Sequence, residues 1–463
     1  MPRMRSIYSA LLLLLTPFAL LRLAWRARRQ PEYLRNVGER FGWYPVRPLT
    51  ATPHPNPLPQ GERESAALRR GSDAVEHPIL WVHAVSVGEM RAAEPLIRAL
   101  QSSYPSHRIL LTHMTPTGRH TGRQLFGDTV LRCYLPYDLP FAVARFLRHY
   151  RPRVGVLIET ELWPNLIQAG HGAGVPVLLV NARLSARSAR GYARFGDLTR
   201  NTLQALAAVG AQSEADAERL RALGTARVTV TGNLKFDRGP KPADLELAAK
   251  LRARFGARPV LVAASTRDGE EERLLDAVGD APSELLTVIV PRHPQRFQDV
   301  AQILERRGIT YQRRSEDAAV RAATRVLLGD SMGELFAYYA ACDIAFVGGS
   351  LLPLGGQNLL EACAVGKPVL IGPHMFNFAE ATRLAVEAGA ALQVADVVEL
   401  TARLHELLAD AERRGRMGKA GLLLMRQHEG ATPRTLELVR SALEGDLTPH
   451  PSPSPAGGEG ALR

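Results

Sequence analysis

Apolar residues gather along this chain in two distinct patterns. Near the N-terminus, residues 6–21 read SIYSALLLLLTPFALL, 16 positions without a charge. Leu23, Ala24 and Trp25 prolong the run if Arg22 reaches back to a polar surface. Its length approaches the roughly 20 residues that cross a bilayer core. Beyond residue 77 the pattern changes to short apolar runs separated by amphipathic helical stretches. The runs in the first half are 79–85, 108–114, 129–134, 153–159, 175–180 and 228–230. In the second half they are 259–264, 285–290, 325–328, 343–347 and 368–371. Short runs rich in Val and Ile and bounded by Gly or Pro fit strands buried on both faces. Strand–helix alternation implies right-handed βαβ units and doubly wound parallel sheets. The expected architecture is α/β, with two Rossmann-like domains behind a membrane-anchor helix. The boundaries are an anchor over 1–28, a first domain over 29–236 and a second over 237–430. Ligands of such sheets gather beyond the carboxyl ends of the strands, so the cleft between two such domains is the expected site.

Two segments break the pattern. TPHPNPLPQGE (52–62) and TPHPSPSPAGGE (448–459) carry proline at alternate positions, which removes backbone donors and fixes φ. With little to bury, the insertion at 47–76 and the tail at 445–463 are expected to be disordered. Charge refines the N-terminal reading. The formal charge is +12, and the 12 Arg against 4 Glu within residues 1–70 supply most of it. A basic collar beside an apolar helix fits anionic lipid headgroups, whereas nucleic-acid binding would spread basic stripes over the domains. Arg22, Arg26, Arg28 and Arg29 outweigh Arg3 and Arg5, which places the following domains in the cytosol. No small-residue cleavage site follows the run, so an anchor is favoured over a cleaved signal. Cys133, Cys342 and Cys363 have no C-x-x-C spacing, so neither zinc nor a disulfide framework is expected.

Several motifs carry chemistry. NVGERFGWY (36–44) places Glu39 in a glycine-bounded turn near the membrane surface. A carboxylate there can deprotonate a hydroxyl, although spacing alone favours an ion pair of Glu39 with Arg35 or Arg40. HAVSVGE (83–89) ends the first strand, with Gly88 at the strand-to-helix turn and Ser86 as a helix cap. ETELWPN (159–165) puts two acids at the carboxyl end of the fourth strand, where burial without partners is costly. In TGNLKFD (231–237), Lys235 can steady a leaving phosphate or be a solvated linker lysine. The second half holds the nucleotide-site features. These are Arg292 in PRHP, the DSMGEL turn with Met332, Gly333 and Glu334, the glycines of 348–350, and GGQNLLE (355–361). There is no G-x-x-x-x-G-K-[ST] and no G-x-G-x-x-G, which argues against P-loop ATPases and dinucleotide oxidoreductases.

Taken in order, NVGERFG, HAVSVGE, ETELWPN, NARLSARSARGY, GNLKFD, PRHP, MGEL, FVGGS and GGQNLLEA resemble the Kdo transferases of lipopolysaccharide assembly. Kdo is 3-deoxy-D-manno-octulosonic acid. The resemblance runs over about 6–427 and implies a GT-B glycosyltransferase with the acceptor on the N-terminal domain and CMP on the C-terminal one. It implies an inverting, metal-independent transfer of Kdo from CMP-Kdo to a lipid A precursor, without a cofactor, at the cytoplasmic face of the inner membrane. By resemblance Glu39 is the general base, and Glu159 and Lys235 stabilise the transition state. Arg292, Met332, Gly333, Glu334, Asn358, Leu359, Leu360 and Glu361 match the CMP contacts. Gln357 and Leu359 depart from the pattern, where His and Pro are frequent. The competing readings are a GT-B transferase of cell-envelope lipid assembly using a UDP-sugar, and a catalytically inactive membrane scaffold.

Overall fold

The computed structural model describes residues 3–28, 30–44 and 77–446. The Pro-rich insertion expected at 47–76 lies outside the described residues, as does the tail beyond Asp446. The chain forms two compact units, residues 1–234 with 430–463, and residues 235–429.

The first unit is built on seven parallel strands. They are β1 (Ile79–His83), β2 (Arg108–His113), β3 (Leu131–Tyr134), β4 (Val154–Ile158), β5 (Val177–Ala182), β6 (Ala208–Ala211) and β7 (Val228–Val230). Their order is 3-2-1-4-5-6-7. Every residue of β1 is buried, as an apolar run without alternation predicts. Leu80 and Val82 pack to one side with Leu96 and Leu100 of helix Val87–Ser103, while Ile79 and Trp81 pack to the other with Phe146 of helix Pro140–Tyr150. Helix Ala431–Glu444, a segment the apolar pattern leaves unassigned, also belongs to this unit. Its Val439 and Ala442 join the Leu80 side of the core, and Arg434 Nε donates to the Thr231 carbonyl at 2.8 Å.

The second unit repeats the plan. Its strands are β8 (Val260–Thr266), β9 (Leu286–Pro291), β10 (Tyr311–Arg313), β11 (Val326–Leu328), β12 (Ile344–Val347), β13 (Val369–Ile371) and β14 (Ala391–Gln393), in the order 10-11-9-8-12-13-14. In each sheet the strand order reverses once, between β1 and β4 and between β8 and β12. A doubly wound sheet binds its ligands beyond the carboxyl ends of the strands at that reversal.

Candidate active site

At the first reversal the chain leaves β1 through Ala84 and Val85 into helix Val87–Ser103. Ser86 caps that helix, its hydroxyl accepting from the Glu89 amide at 3.3 Å. The Glu89 carboxylate turns back and accepts from the Val85 amide and the Ser86 hydroxyl, both at 2.8 Å. This reciprocal capping box holds a carboxylate at the mouth of the switch point. The neighbouring helix Pro116–Phe126 closes on the same loop, where a Cβ at Gly118 would lie 2.8 Å from the Val85 carbonyl oxygen. Glycine at 118 is therefore required.

On the other side, β4 ends at Ile158 and Glu159 takes φ +65°, a left-handed conformation that costs a non-glycine residue about 1–3 kcal/mol. Two residues on, the Glu161 carboxylate accepts from the Trp163 indole at 2.8 Å. Burial pushes the Glu161 carboxyl up to about 7, and the negative charges of Glu89 and, more weakly, Glu159 add to the rise against the Trp163 hydrogen bond. Three carboxylates thus share one electrostatic environment. Below them His83 is fully buried, and burial and its neighbour His113 hold it down at about 3, so it is neutral at pH 7.

Glu39 stands apart from this group. It lies in the turn Val37–Phe41, at the end of edge strand β3, separated from β4 by β2 and β1. Only 6% of the residue is exposed. Arg119 donates to both of its oxygens, at 2.8 and 3.4 Å, and the Tyr134 amide donates at 2.7 Å. The ion-pair partner is Arg119, 80 residues away, and not the adjacent Arg35 or Arg40. Arg40 is itself buried, with its guanidinium 4.2 Å from the Tyr134 ring centre and donating to the Met114 carbonyl at 3.1 Å.

The second reversal is equally tight. Ser265 takes φ +59°, and a Cβ on Gly348 would lie 2.7 Å from the Ser265 carbonyl oxygen. The amides of Gly349, Ser350 and Leu351 donate to the fully buried Glu270 at 2.6, 2.9 and 2.9 Å. The Arg267 amide joins them at 3.2 Å. A carboxylate of the protein therefore already fills this nest. Positive charge stands beside it: His293 is held low by burial and then by Arg267 and Arg292. Arg292 Nε donates to Gln357 at 3.2 Å, so glutamine fills the position where the family pattern has histidine.

Met332 and Gly333 are exposed, with Gly333 at φ +85°, ahead of the short helix Leu335–Ala341. Glu334 accepts from Ser331 at 2.7 Å and from Arg314 at 3.3 Å. Asn358 accepts from the Leu360 amide at 3.2 Å, and Glu361 is buried in an ion pair with Arg238. The side chains of Leu359 and Leu360 are buried, so a ligand reaches them through backbone atoms. Lys235 Nζ lies 5.5 Å from the centre of the Phe378 ring. Among the described residues, no group of three or more His, Cys, Asp or Glu is placed to hold a metal ion.

Comparison with known proteins decides the family. The profile described as 3-deoxy-D-manno-octulosonic-acid transferase (kdotransferase) matches residues 35–238, and that for glycosyl transferases group 1 matches 309–423. A 3-deoxy-D-manno-octulosonic acid transferase of Bordetella pertussis is 45% identical over 79% of this chain and 87% of its own length. One of Haemophilus influenzae is 37% identical over 96% of this chain and 100% of its own. The chain belongs to the Kdo transferase family. Among solved structures, a glycosyltransferase from Rickettsia africae aligns with a TM-score of 0.54 at 14% identity, over 80% of this chain and 99% of that one. Anabaena HepE in complex with UDP aligns with a TM-score of 0.53 at 16% identity, over 79% and 99%. At such identities the likeness concerns the fold, and the fold is GT-B.

Within this Kdo transferase fold, sequence reasoning singled out the acids of ETELWPN without giving Glu161 a role, and missed the Glu89 carboxylate, the cation Arg119 and the buried Glu270. For Glu161 a signal existed, since its motif sits at a strand's carboxyl end. Glu270, in the run DGEEE, reads as part of a solvated helix face until burial is known.

Proposed function

We propose that this protein transfers Kdo from CMP-Kdo to a lipid A precursor during lipopolysaccharide assembly, at the cytoplasmic face of the inner membrane. The geometric observation that carries the chemistry is the group of three carboxylates, Glu89, Glu159 and Glu161, at the switch point of the first sheet. In the reaction an acceptor hydroxyl attacks the anomeric carbon of Kdo, with inversion and without a metal. The bond to the CMP phosphate breaks, its electron pair leaves with CMP, and the hydroxyl proton passes to a base.

The base in this reading is Glu89 rather than Glu39. Glu89 receives two hydrogen bonds that suit an ionised carboxylate, and its neighbour Glu161 resists ionisation. With Glu161 held neutral beside it as a hydrogen-bond donor, Glu89 is left as the proton acceptor. A neutral Glu161 also lessens repulsion of a donor that carries both a carboxylate and a phosphate. Glu39 is tied to Arg119 and the Tyr134 amide at the edge of the sheet, away from the switch point; we assign it to holding residues 36–44 in place. Glu159 adds negative charge where positive charge develops on the sugar, and Lys235 steadies the departing phosphate. On the second unit Arg292, with Arg267 beside it, Met332–Glu334 and Asn358–Glu361 receive CMP.

Calorimetry with CMP, UMP and UDP tests the donor, and CMP is expected to bind most tightly. A preference for UDP would replace this reading with the UDP-sugar alternative. Glu89→Gln and Glu39→Gln test the base. The first is expected to lower transfer at least 100-fold with CMP binding intact, within the range for losing a general base. Glu39→Gln is expected to retain measurable turnover. The opposite ranking returns the base to Glu39.

A further inference from the structure

The N-terminal helix is long and apolar enough to cross a bilayer, with residues Met4–Ala27 forming the candidate span. Its packing contradicts that use. Tyr8, Ser9, Leu12, Thr16, Ala19, Leu23 and Ala27 are the partly or fully covered positions, and all but Ser9 form a stripe at three- and four-residue spacing along one side. The stripe begins in the second turn, where Tyr8 Oη donates to Asp138 at 3.0 Å and Ser9 Oγ to Asn165 at 3.2 Å. It ends with Leu23, which is 7% exposed, and with Arg26 lying 5.5 Å from the Tyr33 ring centre. Nineteen residues at a rise of 1.5 Å put the ends of the stripe about 28 Å apart, nearly the roughly 30 Å of a hydrocarbon core. The helix is hydrogen-bonded to the first unit at its second turn and packs at its far end on the turn Pro31–Leu34 that leads the chain back into that unit, so it has no length left to span. Crossing would also carry the Tyr8 and Ser9 hydroxyls into hydrocarbon and strip Asp138 of a donor.

The opposite side is apolar. Ile7, Leu14, Phe18, Leu21 and Trp25 are each more than 60% exposed. The same unit carries more exposed aromatics: Phe141, three residues after the Tyr8 partner Asp138, and Trp43 are exposed at 43% and 66%, and Arg145 lies 5.4 and 5.2 Å from their rings. Arg22, Arg26 and Arg28 flank the end of the helix. Aromatic residues and arginines rimming an apolar helix face match the interface of an anionic leaflet.

We infer that the N-terminal helix does not cross the membrane but lies in the plane of one leaflet, docked on the first unit, with the Ile7–Trp25 face, Trp43 and Phe141 seated in anionic phospholipid. The inference rests on the membrane part of the proposed function and concerns how the protein is held there. Sidedness of labelling tests it. Cys133, Cys342 and Cys363 are all buried, so an added cysteine stands out. A full-length Met4→Cys chain is expected to react with a membrane-impermeant maleimide in inverted inner-membrane vesicles and not in intact spheroplasts. A spanning helix gives the reverse pattern, which would overturn the inference. Retained Kdo transfer by the variant shows that it folds. A chain that labels as expected yet moves no Kdo keeps this inference and removes the functional reading. As a second measurement, vesicles of phosphatidylglycerol brominated in the acyl chains are expected to quench tryptophan emission, less so after Trp43→Phe. Quenching unchanged by Trp43→Phe takes Trp43 out of the surface. Efficient self-cross-linking of Leu14→Cys in membranes would put a second copy of the chain on this face and overturn the lipid assignment.

Discussion

Glu161 shows what the site asks of a single residue. Its carboxyl ionises near 7, well above the ordinary value of 4.5, because burial and the Glu89 charge oppose ionisation. In the unfolded chain it ionises near its ordinary value, so between about 4.5 and 7 the folded state holds the extra proton. The stability that this proton represents is complete below about pH 4.5 and is lost as pH rises to about 7. Glu161→Gln is therefore expected to flatten the dependence of Tm on pH across that window. At pH 8 it should raise stability by roughly 1–3 kcal/mol, discounted for the part of the side chain that water reaches. The same variant should abolish any loss of transfer above about pH 7, if the neutral carboxyl is the active form. A pH–rate profile and a thermal melt, taken on one preparation, read both effects. At this scale the sequence spoke only in part. The ETELWPN acids were legible as functional from their place at the end of a strand, but the division of labour between them depends on burial. The pairing of Glu39 was illegible for the same reason: its partner Arg119 is 80 residues away, beyond what spacing reveals.

Elements turn these residues into a framework. Glu270, at the start of helix Glu270–Ala277, receives amides from both sides of the second switch point and so fixes the turn after β12 against the turn after β8. Glu270→Ala leaves three buried amides and the part-buried Arg267 amide without this acceptor, a loss expected to cost about 3 kcal/mol or more in a denaturant melt and to weaken CMP binding. Glu39→Ala leaves Arg119 and the Tyr134 amide uncompensated and is expected to destabilise the first unit by about 2–4 kcal/mol. A stability effect of that size, alongside residual turnover for Glu39→Gln, separates a holding role from a chemical one. The buried strands were largely readable, because apolar runs such as 79–85 and 259–264 need no partner to be recognised. Three strands escaped: β6 is the small-residue run AVGA, while β10 (YQR) and β14 (ALQ) are short with polar ends. Helix Ala431–Glu444 also escaped, because nothing local shows that the chain returns to the first unit.

At the scale of the whole molecule, two doubly wound units place carboxylates at the switch point of one sheet and guanidinium groups at that of the other. That division suits a reaction in which a neutral hydroxyl loses a proton and an anionic nucleotide departs. On the proposed reading, the N-terminal helix adds a membrane face to the unit that carries the carboxylates, which suits a lipid acceptor. Family membership and fold class were legible in the order of the motifs, whereas the packing of the helix on the first unit was not, since an apolar run reads alike whether it is docked or free. The central claim is the transfer itself. Mass spectrometry of a lipid A precursor incubated with CMP-Kdo and the full-length protein, without added metal and with chelator present, tests it most directly. The lipid is expected to gain mass in whole Kdo units only when CMP-Kdo is supplied. A lipid unchanged by CMP-Kdo but extended from a UDP-sugar would contradict the account.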